Sequence, residues 1–180
     1  MFSLISIAAC WGSVGAFAQP LAAEGQVEAA FSPDGGAERL VVKAIGSAKT
    51  EILVLAYSFT NAVVTRALLD AHKRGVSVSL VVDAKANLSG DGSNKSRAAL
   101  SALANAGVAV RLCDAYAIHH DKVIVVDRMH IQTGSFNYSS SAQIRNSENV
   151  LVHWGSPALA HLYVKHFERN LKLSKPFTPY

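Results

Sequence analysis

Apolar positions along this chain fall into two alternating patterns, short continuous runs and longer segments with helical spacing. The continuous runs are bounded by glycine, proline or polar residues, and several are apolar at nearly every position. That is typical of strands covered on both faces of a sheet. The runs predict strands over residues 27–32, 51–57, 76–83, 108–112, 120–126, 130–133 and 148–153.

Helical spacing occurs between these runs. In residues 37–48 the apolar side chains lie three and four positions apart, which places them on one face of a helix. The same pattern predicts helices over residues 61–73, 96–106 and 157–171, the last with a proline at its first position. Residues 85–95 are mostly polar and contain two glycines, so they predict a loop.

Strands that alternate with helices predict an α/β fold, in which a mixed, largely parallel β-sheet lies between helical layers. The 180 residues suit one domain, assigned to residues 19–180, and no linker divides it. Half of the residues are hydrophobic, which predicts a packed core rather than disorder. The formal net charge of +4 is compatible with a polyanionic partner without requiring one.

The amino-terminal segment differs from the rest. Residues 1–18 carry no charged side chain and end in a small-x-small pattern at Ala18, which predicts a signal peptide and a periplasmic or secreted protein. No lysine or arginine precedes Arg39, which departs from the usual signal. A lipoprotein site at Cys10 and a retained membrane segment are the alternatives, although about 18 apolar residues barely suffice to span a bilayer. Cys113 is then the one thiol left, and a packing role is expected for it.

The densest chemistry lies within residues 120–137. It reads His-x-Lys-x4-Asp and then Gly-Ser-x-Asn, formed by His120, Lys122, Asp127, Gly134, Ser135 and Asn137. Residues two apart on a strand share a face, so His120 and Lys122 are expected to point one way and His119 and Asp121 the other. Together these groups suit a phosphate ester: Lys122 neutralises charge, Ser135 and Asn137 donate hydrogen bonds, and His120 presents a nitrogen to phosphorus.

Two carboxylates are candidates to assist the histidine. Asp127 lies seven residues from His120, an odd number, so a regular strand turns it to the opposite face and the far end. That geometry favours a role in tying down the hairpin or a partner subunit. Glu148 begins the strand after the Gly-Ser-x-Asn turn and is expected to accept a hydrogen bond from His120 Nδ1, leaving Nε2 free to attack.

These residues resemble the signature of the phospholipase D superfamily, and most closely its small, single-motif bacterial endonucleases. The likeness extends to residues 31–33, 56–60 and 147–149 and covers residues 26–170. It implies hydrolysis of nucleic-acid phosphodiester bonds, DNA or RNA, with little sequence specificity and without a metal or other cofactor. It also implies that His120, Lys122, Asp127 and Glu148 are catalytic.

The resemblance further implies a covalent phosphohistidine and two motifs in each active site. One histidine attacks phosphorus, and the other protonates the leaving oxygen. This chain has one motif, so the implied assembly is a homodimer whose two-fold axis passes through a shared site.

Other interpretations of single residues stay open. The adjacent His119, His120 and Asp121 suggest zinc, but neighbours on a strand point apart and no second cluster has ligand spacing, so no metal is expected. Phe136 and Tyr138 are candidates to stack on a base or to pack in the core. Four cations are candidates for a nucleic-acid groove, with an ordinary solvated surface as the plainer interpretation: Lys85, Lys95, Arg97 and Arg145.

Two rival functions follow from the same residues. One is a phospholipid diesterase with the same chemistry, although no basic amphipathic docking helix is evident and no stable membrane association is expected. The other is a non-catalytic nucleic-acid-binding module on an inactivated scaffold, which the complete His, Lys, Ser, Asn and Glu set makes less favourable.

Overall fold

The computed structural model describes residues 18, 20–89 and 93–179. The predicted signal segment, residues 1–18, lies outside the described residues except for Ala18. Strands and helices alternate in the order β1 (Gln26–Ser32), α1 (Ala37–Ser47), β2 (Glu51–Ala56), α2 (Ala62–Lys73), β3 (Ser77–Asp83), α3 (Ala84–Leu88), α4 (Ser93–Asn105), β4 (Ala109–Cys113), β5 (Lys122–Val126), β6 (His130–Gly134), α5 (Ser140–Ile144), β7 (Glu148–Trp154), α6 (Pro157–Lys172) and β8 (Ser174–Pro176).

The strands form one mixed sheet in the order β1-β7-β6-β5-β2-β3-β4-β8. Only β2–β3 and β3–β4 are parallel pairs among the described strands, and the other neighbours run antiparallel. The predicted α/β fold with a mixed sheet is therefore confirmed, but "largely parallel" is wrong. The reason is the turn at Asp127 and Arg128, whose positive φ angles of 51° and 54° reverse the chain at once. A parallel connection needs a crossover of a dozen or more residues, so β5 and β6 pair as a hairpin.

Helices cover the two faces of the sheet unequally. In β2, Ile52 and Val54 belong to the apolar cluster under α1, α2 and α4, whereas Leu53 and Leu55 belong to the cluster under α6. Alternate side chains of a strand point to opposite faces, so this strand is apolar throughout. None of the described helices is both long enough and apolar enough to cross a bilayer.

The prediction of a loop over residues 85–95 is wrong in part. The Asp83 carboxylate accepts a hydrogen bond from Ala86 N at 2.7 Å and caps α3, which occupies the first part of this segment. An aspartate at this position offsets the unpaired amides of the first helical turn. The short helix α5 and the edge strand β8 were not predicted.

The strand ends that carry the motif, apart from Asp127, lie at one edge of the sheet. Ala56 at the end of β2 pairs with Lys122 at the start of β5, and Gly134 at the end of β6 pairs with Val150 near the start of β7. His120 precedes β5 rather than lying within it, contrary to the predicted strand over residues 120–126. This edge brings the separate parts of the motif together.

Candidate active site

His120 and Lys122 lie around the ring of Tyr57, which follows β2. The imidazole of His120 is exposed and packs against this ring, with centroids 4.7 Å apart and planes at 58°. Lys122 Nζ lies 5.3 Å from the centroid of the same ring and donates a hydrogen bond to the His120 carbonyl at 2.8 Å. The predicted placement of His120 and Lys122 on one side is therefore confirmed.

Lys122 is a cation held at a nearly buried position, with 7% of its surface exposed. Burial lowers the pKa of Lys122, while the charges of Glu148 and Asp121 oppose that shift. An ammonium group has three N–H donors, and among the described contacts only one of them reaches a protein acceptor. The Lys122 ammonium therefore keeps N–H donors and a positive charge with which it can bind phosphate oxygens.

Glu148 does not orient His120, which corrects the prediction for this carboxylate. Its Oε2 accepts a hydrogen bond from Ser135 Oγ at 2.5 Å, and its Oε1 accepts one from Asn146 Nδ2 at 2.9 Å. The reason is strand order: β6 separates β7 from β5, and two strand spacings amount to about 10 Å. Glu148 thus acts on Lys122 through charge and on Ser135 through a hydrogen bond.

Ser135 is also placed differently from the prediction. Its hydroxyl proton goes to Glu148, and its oxygen accepts from Asn149 N at 3.1 Å and Asn149 Nδ2 at 3.3 Å. In this arrangement Ser135 braces the turn after β6 and has no proton to offer a phosphate. The preceding Gly134 is required there, because its φ is 147° and a Cβ would lie 2.2 Å from the Asn149 carbonyl oxygen.

The Asn137 side chain is the unsatisfied group of this turn. Its Oδ1 is buried without a hydrogen-bond partner, and no hydrogen bond of its Nδ2 occurs among the described residues. Leaving a buried polar group unpaired costs about 1–3 kcal/mol. The Oδ1 atom is an acceptor, so the predicted contact with a phosphate oxygen falls to the Nδ2 donors of Asn137.

Asp127 lies at the other end of β5 and is fully engaged. Its carboxylate accepts hydrogen bonds from Lys49 N at 2.8 Å, Thr50 N at 2.8 Å, Thr50 Oγ1 at 2.9 Å and Glu51 N at 2.9 Å. Burial alone raises its pKa, but these donors outweigh burial and hold the pKa of Asp127 below its ordinary value. The geometric expectation that Asp127 ties down the hairpin is confirmed. The predicted direct role of Asp127 in catalysis is wrong for this arrangement, because β5 separates its carboxylate from His120 and Lys122.

The four groove candidates do not form one row. Lys85 lines a cavity of about 530 Å³ together with Tyr57 and Ile118, near the edge of the sheet that carries Lys122. Lys95 lines a different cavity, against α2. Arg97 donates to the Leu88 carbonyl at 2.9 Å. Arg145 is exposed at the end of α5.

Of the two interpretations of Phe136 and Tyr138, packing in the core is confirmed and stacking on a base is wrong. Both side chains are fully buried, and the Tyr138 hydroxyl donates to Gln132 Oε1 at 2.7 Å. The aromatic ring at the site is Tyr57, whose backbone is held by Asn87. Asn87 Nδ2 donates to the Tyr57 carbonyl at 2.6 Å. Sequence reasoning missed this pair because its members are 30 residues apart.

The adjacent histidines point to different places. His119 is buried, with its Nδ1 3.6 Å from Asp121 Oδ2, whereas His120 faces solvent against Tyr57. Burial lowers the pKa of His119, with the charges of Asp121 and Asp83 opposing it. Across residues 18, 20–89 and 93–179, no group of three or more histidine, cysteine or acidic side chains has a geometry that would hold a metal ion.

Residues 41–171 match the sequence profile of a family described as "Cardiolipin synthase, PLD-like domain". The structure superposes on Nuc, a phospholipase D family member from Salmonella typhimurium, with a TM-score of 0.81 and 41% identity over 86% of this chain and 99% of that one. A phospholipase D of Rickettsia bellii is 34% identical over 71% of this chain and 60% of its own length. A mitochondrial cardiolipin hydrolase of Danio rerio is 33% identical over 72% and 55%, respectively. The chain thus spans about 60% or less of these two curated relatives.

Proposed function

This chain belongs to the phospholipase D superfamily, and from that premise we propose that it is a phosphodiesterase that cleaves nucleic acid with little sequence specificity. The observation that carries the proposal is the grouping of an exposed imidazole, a nearly buried ammonium and an unpaired amide at one edge of the sheet. These are a nucleophile, a charge for the equatorial oxygens of phosphorus, and a further donor.

The proposed reaction has two displacement steps. The neutral His120 Nε2 attacks phosphorus and forms a P–N bond, while the P–O bond to the leaving group breaks and a second imidazolium gives that oxygen its proton. Water then attacks the phosphohistidine, the second imidazole takes the water's proton, and His120 is released with a phosphate monoester. Lys122 and Asn137 stabilise the charge on the oxygens in both transition states.

The second imidazole is proposed to come from a second copy of the chain. His119, the nearest other histidine in sequence, is buried, with its Nδ1 3.6 Å from Asp121. The chain carries one motif, although it covers 99% of the Nuc chain. An isologous dimer brings two His120 side chains to one axis. Both subunits then contribute to a single site.

A mixed dimer tests the shared site. Wild-type and His120→Ala subunits carrying different affinity tags are co-expressed, and the heterodimer is purified over both tags, beside a doubly tagged wild-type dimer. Turnover is expected to fall more than 1,000-fold relative to that control, since the single site of the heterodimer would lack one of its two imidazoles. Half or full activity in the heterodimer, or a monomeric active protein in sedimentation, would overturn the shared site.

A nucleic-acid substrate is favoured over a lipid by the similarity to the superfamily's single-motif endonucleases and by the net charge of +4. The second candidate is a phospholipid diester, because relatives bear the names phospholipase D and mitochondrial cardiolipin hydrolase. Both candidates use the same chemistry.

Parallel assays separate these candidates. Plasmid nicking, RNA cleavage, and hydrolysis of phosphatidylcholine and cardiolipin are measured with excess chelator, with His120→Ala as the control. We expect His120-dependent cleavage of nucleic acid and none of lipid. His120-dependent lipid hydrolysis without nicking would replace the proposal with the second candidate. Nucleic-acid binding without any hydrolysis would indicate the non-catalytic module.

A further inference from the structure

The His120 side chain makes no hydrogen bond among the described residues, whereas the residues on either side of it are held firmly. On one side, His119 N donates to the buried Asp83 Oδ2 at 2.8 Å. On the other side, Asp121 Oδ2 lies 2.9 Å from His166 Nε2, which comes from α6. The segment that presents His120 is therefore attached to two different elements, β3 and α6.

The contacts of His166 define its tautomer. Arg169 Nη2 lies 2.9 Å from His166 Nδ1, and a guanidinium can only donate, so Nδ1 must be the acceptor. The ring proton is then on Nε2, which donates it to Asp121 at 2.9 Å, and the longer 3.4 Å approach of Asn170 Nδ2 to Nε2 is not a hydrogen bond in this tautomer. Asn170 Nδ2 also donates to the His166 carbonyl at 2.8 Å. A neutral imidazole in one tautomer thus links the helix to the segment.

Asp121 carries a negative charge next to Lys122. Burial raises the pKa of Asp121, but the hydrogen bond from His166 and the positive charge of Arg169 outweigh it and leave the pKa below its ordinary value. The Asp121 charge in turn opposes the lowering of the Lys122 pKa by burial. The other charged or titratable groups that act on this cluster are Asp83, His119, Tyr138, Glu148 and Arg169.

We propose that Asp121 and His166 are positioning residues, through which α6 sets the orientation of His120 and keeps a fixed negative charge beside Lys122. The proposal rests on the proposed phosphodiesterase function. The pair is not needed to attach the helix, because Val164 and Phe167 already bury α6 against the sheet. Its effect should therefore fall on turnover rather than on folding.

The first arm of the test measures steady-state hydrolysis of bis(p-nitrophenyl) phosphate against pH. In Asp121→Asn the amide oxygen still accepts from His166, so we expect kcat near neutral pH to fall less than 10-fold and KM to stay within about twofold. With the carboxylate charge gone, Lys122 loses its proton at lower pH, and the alkaline limb of the kcat profile should move to lower pH. Asp121→Ala loses the hydrogen bond as well, and kcat should fall about 10- to 100-fold.

Substitutions on α6 form the second arm. His166→Ala should lower kcat about 10-fold, and His166→Gln should recover part of it because its amide can still donate to Asp121. The matched control is His161→Gln, an exposed histidine on the same helix. A His166→Ala enzyme with wild-type kcat, or an Asp121→Asn enzyme with an unchanged alkaline limb, would overturn the proposal.

A spectroscopic arm separates failure of this inference from failure of the proposed function. Correlation of ¹⁵N and ¹H in the histidine rings should show His166 protonated at Nε2 in the wild type and in Asp121→Asn, because Arg169 still donates to Nδ1 in both. The Nδ1–H tautomer in the wild type would overturn the positioning pair whatever the enzyme cleaves. The predicted tautomer in a protein that hydrolyses no phosphodiester would leave the geometry intact and refute the function.

Discussion

The two ends of strand β5 differ in how their polar groups are satisfied. At one end, the Asp127 carboxylate receives four hydrogen bonds from residues 49–51 and sits in a tight turn with a positive φ. At the other end, Lys122 keeps unused donors, and the Nδ2 of Asn137, which follows β6, donates to no described residue. His120 lies there with no hydrogen bond from its ring among the described contacts.

All these residues belong to one sequence motif, yet some stabilise the fold and others are available to bind a ligand. A polar group whose hydrogen bonds are all formed stabilises the fold, because breaking those bonds has a free-energy cost. An unpaired donor at a surface edge adds little to the stability of the free protein and gains a hydrogen bond when a phosphate binds. The difference predicts that substitutions at the two ends of β5 affect different measurements.

The largest effect is expected at the unsatisfied end, from Lys122→Met and Asn137→Ala. Each removes a group that stabilises transition-state charge, and losses of this kind cost about 2.7–4 kcal/mol, or roughly 100- to 1,000-fold in kcat. Methionine keeps the apolar stem of Lys122 and fills similar space. Steady-state kinetics on a diester and thermal unfolding check both variants. The expected result is low kcat with Tm unchanged or slightly raised, and a fall in Tm that parallels kcat would contradict the comparison.

The opposite result is expected from Asp127→Ala. It removes four hydrogen bonds and places alanine at a φ of 51°, so we expect unfolding to become easier by about 2–3 kcal/mol. Denaturant titration measures the loss, and kcat of the folded fraction should stay within about threefold. Asp127→Asn is the matched control, because asparagine tolerates this φ and keeps one acceptor oxygen. A 100-fold loss of kcat with unchanged stability would restore a catalytic role for Asp127.

Local spacing was sufficient to predict part of this site. The period of two along an extended segment places His120 and Lys122 together, and the separation of seven residues places Asp127 at the far end of β5; both predictions are confirmed. The alternation of apolar runs and helical spacing likewise gave the α/β class and most elements. In each of these cases the determining geometry lies within a few residues of chain.

Contacts between distant segments were not predictable in the same way. Glu148 was assigned to His120 because it follows the turn, but the strand order puts β6 between them. Tyr57 meets His120 only because β2 and β5 are neighbours, and His166 meets Asp121 only because α6 returns across the sheet. No spacing in the sequence encodes which strands pair, so these partners emerged only with the fold.

The smallest expected effect is the dependence of the unfolding free energy on pH that Asp127 produces. The pKa of Asp127 in the folded state lies below its ordinary value of 3.8, because the donors of residues 49–51 outweigh burial. The folded state therefore binds the proton less readily than the unfolded state does. The stabilisation by the charged carboxylate is complete above the ordinary value and is lost as the pH falls through the folded-state pKa.

Asp127→Asn cannot titrate, so the difference in unfolding free energy between wild type and this variant should be constant near neutral pH and shrink below about pH 4. Asn137→Ala serves as the control, because it removes no titratable group and its stability difference should stay flat there. Urea unfolding at several pH values measures both differences. If the difference for Asp127→Asn does not change on acidification, the carboxylate is not held by charge-assisted hydrogen bonds. The proposed contrast between the two ends of β5 would then be wrong at Asp127.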